Sequence, residues 1–137
     1  MKIYRILSNP YALIICFSLI LISGEHWGGF YGMYILMGLM FGGVHSFLAV
    51  AGILVIAAGH NWLKGPVFLQ QLIKLVGVSL LFFSLYIFFT NDKEHYNWGT
   101  FEQTVPIITI IITSIVAICF LTGGLITKTN RNIETVS

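Results

Sequence analysis

Hydrophobic residues dominate the chain, and the charges are confined to short intervals between them. Four stretches carry no Asp, Glu, Lys or Arg: 6–24, 26–63, 75–91 and 103–127. A bilayer span needs about 20 consecutive residues free of costly ionised groups, so each stretch can hold one crossing. The pattern predicts an all-α membrane protein, a bundle of four transmembrane helices at about 10–24, 30–58, 67–89 and 104–127. Ser8-Asn9-Pro10 supplies a cap and a first-turn proline for the first helix, Pro66 opens the third, and Pro106 falls in the first turn of the fourth. The second stretch is longer than one span needs and must tilt, protrude or break near Gly42-Gly43.

The four spans occupy most of the 137 residues, which leaves one integral membrane domain, 1–137, and no separate soluble unit. Composition agrees, with 57% hydrophobic and 9% charged residues, far from a soluble domain. With the N-terminus inside, the cytoplasmic segments hold Lys2, Arg5, Lys64, Lys74, Lys128 and Arg131 against Glu134, while the outer segments hold Lys93 against Glu25, Asp92, Glu94 and Glu102. This positive-inside bias predicts the cytoplasmic membrane, with both termini cytoplasmic. A net charge of +2 without a basic cluster argues against nucleic-acid partners. Lys74, about two turns into the third helix, is expected to lift its ammonium back to the interface. Cys16 and Cys119 sit in apolar runs without metal-type or redox-type spacing and read as inert thiols.

Two outer loops resemble each other. The first reads Glu25-His26-Trp27-Gly28-Gly29-Phe30 and the second Glu94-His95, an inserted pair, then Trp98-Gly99-Thr100-Phe101. His95 follows His26 by 69 residues, and Lys74 follows Arg5 by the same interval. Beyond the insertion the interval is 71, pairing Gly38 with Thr109, Gly42 with Thr113, Gly43 with Ser114 and Gly52 with Gly123. The pattern suggests a parallel duplication of a helical hairpin, with repeats 1–66 and 67–137 related by an axis along the membrane normal.

Candidate chemistry falls in two places. On the outer face, Glu25, His26, Trp27, Glu94, His95 and Trp98 are candidate binding residues, either as interfacial anchors or as ligands to a metal or haem. Within the membrane, His45 is the ionisable residue near the middle of a span, and such a group is a functional hypothesis by default. Gly38, Gly42, His45, Ala49 and Gly52 share one helical face, a close-packing surface containing a G-x-x-x-G pair. Counting from the span ends brings Ser18, Ser79 and Ser114 to its depth, so an intramembrane polar cluster with His45 is expected.

No span contains Asp or Glu, which weighs against a proton pump, and no phosphate loop, H-E-x-x-H or Ser-His-Asp arrangement is present. The reading these features favour is a non-enzymatic subunit or assembly factor of a larger membrane complex, in contact with lipid and with other subunits or a second copy, and holding no cofactor. A metal- or haem-handling redox protein using the outer Glu-His loops is the alternative. A small solute carrier or channel is the third reading.

Overall fold

The computed structural model describes residues 2–24, 28–62, 65–91 and 96–134. It is helical in the main, with α1 (Lys2–Leu7), α2 (Pro10–Ser18), α3 (Tyr31–Met40), α4 (Val44–Asn61), α5 (Val67–Thr90) and α6 (Thr104–Glu134). Two short strands, β1 (Leu21–Ser23) and β2 (Gly28–Phe30), separate α2 from α3, and a 3₁₀ turn (Trp98–Phe101) precedes α6. Among the described residues three helical segments are long and apolar enough to cross a membrane: Val44–Asn61, Val67–Thr90 and, within α6, Thr104–Gly123.

The stretch expected to form the first span is not one helix. Asn9 and Pro10 start α2 as predicted, with the Asn9 carboxamide oxygen accepting from the Tyr11 N–H at 2.9 Å. The helix then stops after nine residues at Ser18, about 14 Å long at ~1.5 Å per residue, where a hydrocarbon core needs about 30 Å. Beyond it the chain is extended, and β1 pairs antiparallel with β2 in the register Leu21 to Phe30, Ile22 to Gly29 and Ser23 to Gly28. Two hydroxyls serve the other edge of β1. The Leu21 N–H donates to Thr109 Oγ1 at 3.0 Å, and the Ser23 N–H donates to Thr100 Oγ1 at 2.9 Å. The two threonines thus satisfy backbone donors that the hairpin leaves open.

The second apolar stretch breaks at Phe41-Gly42-Gly43. Gly42 adopts φ +73°, the left-handed conformation that glycine reaches without steric cost. The Phe41 N–H bonds the Met37 carbonyl at 3.2 Å and the Gly43 N–H bonds the Gly38 carbonyl at 2.6 Å, which terminates α3 in a Schellman-type cap. α4 starts immediately afterwards.

Glycine sets the main helix pairing. A Cβ on Gly52 would lie 2.9 Å from Leu81 and 3.0 Å from the Gly77 carbonyl oxygen, and one on Gly77 would lie 2.5 Å from Ile56. Together with Gly59 against Ile73, these contacts run in opposite directions along α4 and α5, so the two helices pack antiparallel with their backbones close. α6 packs antiparallel along α1 and α2 through hydroxyl contacts: Thr113 to the Cys16 carbonyl, Ser8 to the Cys119 carbonyl at 3.0 Å, and Tyr4 to Thr122 at 3.0 Å. Leu13, Phe17, Ile20, Tyr31, Leu81 and Val116 fill the core between these layers. Ile108, Ile111, Ile112, Ile115 and Ile118 point outward from α6, as a lipid-facing surface requires.

Candidate functional site

The polar and aromatic groups of the helical region gather between α3, the first turn of α4 and the C-terminal part of α5. Phe88 of α5 meets Tyr31, Tyr34 and His45, each placing a ring centroid 5.2 Å from its own in edge-on geometry. Below it, the Tyr31 hydroxyl meets the Ser84 hydroxyl at 2.7 Å, fully buried. Such a pair satisfies both groups without water.

His45 and Ser46 face the end of α3. A Cβ on Gly38 would run into Ser46 Oγ and His45 Nε2, so only glycine lets the two polar side chains lie against the α3 backbone. Both atoms are buried without a hydrogen-bond partner among the described residues, and the Tyr34 main chain is the polar group that reaches the imidazole. A buried polar atom left unpaired costs about 1–3 kcal/mol. α3, α4 and α5 carry no Asp or Glu, so the three helices around the pair offer it hydrogen bonds and no carboxylate.

His45 therefore stands in the first turn of α4, not at the middle of a continuous span. The expected serine cluster does not assemble around it. Ser18 Oγ donates to the Ile14 carbonyl and Ser114 Oγ to the Ile110 carbonyl, each at 2.9 Å within its own chain segment, and Ser79 is exposed. Matching residues by depth presumed four unbroken helices, and the early end of α2 and the turn at Gly42 remove that premise. Of the packing face, Ala49 and Gly52 are buried on α4 and Gly38 packs against Ser46, whereas Gly42 lies in the turn with open space around it.

Of the outer-face residues, Glu25, His26, Trp27, Glu94 and His95 lie outside the described residues. Trp98 sits in the 3₁₀ turn, its indole N–H directed to the Phe89 carbonyl at 3.4 Å and its ring 6.2 Å from that of Phe101. Among the described residues no three His, Cys, Asp or Glu side chains converge as a metal site. The Lys74 ammonium lies 5.0 Å from the centroid of the Phe120 ring on α6, a cation–π contact near the end of the apolar part of that helix. The thiols of Cys16 and Cys119 are half-buried and unpaired.

Tyr31, Ser46, Ser84, Thr100 and Thr109 are the structural polar residues that sequence reasoning passed over. Ser46 adjoins His45 and could have been flagged with it. The Tyr31–Ser84 pair joins residues far apart in the chain and leaves no local signal. Compared with known proteins, the chain matches no protein family, no curated protein and no solved structure.

Proposed function

We propose that this protein crosses the cytoplasmic membrane four times with both termini inside, and serves as a non-enzymatic subunit or assembly factor of a larger membrane complex. In this reading α1, α2 and β1 together make the first crossing, α4 the second with α3 leading into it beside the end of α5, and α5 and α6 the third and fourth. The charge bias of the connecting segments supports the orientation.

The observation that carries the partner assignment is the open turn between α3 and α4. Met40 and Phe41 are 83% and 82% exposed, and Gly42 has nothing within 4 Å of a Cβ position. The Leu39 and Met40 carbonyls receive no backbone donor among the described residues. Exposed apolar side chains beside uncovered backbone favour a neighbouring protein that supplies donors and covers Phe41. The glycine face of α4, by contrast, is consumed within the chain against α5, and the docking surface is the turn. Affinity purification in mild detergent followed by mass spectrometry tests this. A stoichiometric membrane partner is the expected result, and recovery of a stable lone monomer contradicts the reading.

A further inference from the structure

Apart from Met1, every methionine of the chain lies on α3: Met33, Met37 and Met40. Their spacing of four and three residues places them within an arc of about 60° on a helix of ~3.6 residues per turn. All three face outward, at 58%, 55% and 83% exposure. The opposite side of the same helix is fixed, since Tyr31 and Ile35 are buried and the Tyr31 hydroxyl is bonded to Ser84. The helix cannot roll to bury the methionine line while that bond holds.

Lipid contact alone does not account for this choice. The exposed apolar face of α6 is built from Ile108, Ile111, Ile112, Ile115 and Ile118, and that of α5 from residues such as Leu72, Leu75, Val76 and Phe83, without one methionine. What methionine has and these residues lack is a soft sulfur on a flexible stem. Neighbours three and four apart on a helix stand about 5–6 Å apart at Cβ, within reach of convergence for three such stems. Thioethers select soft ions, Cu(I) above all, over zinc, magnesium or calcium.

We propose that Met33, Met37 and Met40 form a three-thioether site for Cu(I) on the outward face of α3. The ligands are neutral, so binding adds only the ion's single charge. They also carry no proton to lose, so occupancy is insensitive to mild acid, unlike a site built from histidine or cysteine. The site shares Met40 with the turn that carries the partner assignment, whereas Met33 and Met37 stand outside that turn, and titration of the purified protein tests the site without the partner.

The test is anaerobic titration of the purified full-length protein in detergent with Cu(I), in competition with a bicinchoninate chromophore, at about pH 5.5 and about pH 7.5. The expected result is one bound ion per chain at both pH values, with sulfur as the first-shell ligand by X-ray absorption. Met37→Leu, a volume-conserving change at an exposed position, weakens binding roughly tenfold or more, a loss of about 1.4 kcal/mol. The triple variant with Leu at 33, 37 and 40 loses the ion while keeping its helical circular dichroism, and Cys16→Ser with Cys119→Ser keeps it. Absence of bound Cu(I), equal affinity in the triple variant, or loss of the ion at the lower pH overturns the proposal.

Discussion

The hydroxyl of Tyr31 lies 2.7 Å from the hydroxyl of Ser84, with neither side chain exposed, and this bond ties the start of α3 to the middle of α5. It sets where the chain re-enters after the β1–β2 hairpin and how α3 is turned. Tyr31→Phe leaves Ser84 with an unmet hydroxyl in an apolar core and is expected to destabilise by about 1–3 kcal/mol. Removing both partners, with Tyr31→Phe and Ser84→Ala together, costs less than the sum of the single changes. Thermal unfolding of the four proteins in detergent measures the coupling, and strictly additive losses would show that the bond contributes nothing.

Gly42 and Gly52 separate two reasons for glycine. Gly42 has open space but φ +73°, so Gly42→Ala is expected to lose about 1–2 kcal/mol through backbone strain, and Gly42→Asn less. Gly52 has ordinary dihedrals but faces the Gly77 carbonyl oxygen at 3.0 Å from a Cβ position, so Gly52→Ala overpacks the α4–α5 contact at about 1–3 kcal/mol, and Asn there is worse than Ala. The opposite ranking of Ala and Asn at the two sites is the measurement. An identical ranking removes the distinction.

The apolar segments, their approximate ends and the cap at Asn9-Pro10 were legible because hydrophobic runs and proline are local signals. So was the weak point at Gly42-Gly43, where excess length coincided with paired glycines. The shortness of α2 was not, because Leu19 to Ser23 is as apolar as a helix end and its extended form depends on Thr100 and Thr109, some 80 residues away in the chain. The site suffered for the same reason: depth counting placed His45 at mid-span beside three serines, and the break moved it into the first turn of α4. The proposed repeat meets unequal elements, a nine-residue α2 against a 24-residue α5, and a turn at Gly42 where its counterpart Thr113 lies inside α6.

The threonine edge gives a third expectation. Thr109→Val and Thr100→Val keep the side-chain shape but leave the Leu21 and Ser23 amides without acceptors. Each is expected to cost about 1–3 kcal/mol, and amide exchange at Leu21 and Ser23 should accelerate in the matching variant. Unchanged exchange at Leu21 in Thr109→Val would mean that water already serves that amide.

Orientation is open to direct labelling. A Lys93→Cys variant, with Cys16 and Cys119 changed to Ser, is expected to react with an impermeant maleimide added to the outside of intact cells. A Lys64→Cys variant in the same background reacts only after the membrane is opened. Labelling of position 93 from the cytoplasmic side alone would reverse the topology.

The most direct measurement is photo-crosslinking in native membranes from a benzoyl-phenylalanine placed at Phe41, compared with one placed at Ile112 on the outward face of α6. The turn between α3 and α4 exposes Phe41, and Ile112 faces lipid in the proposed arrangement. A discrete protein adduct from position 41 and none from position 112 is the result the account predicts. Lipid adducts alone at position 41, on a chain that migrates as a monomer, would contradict it.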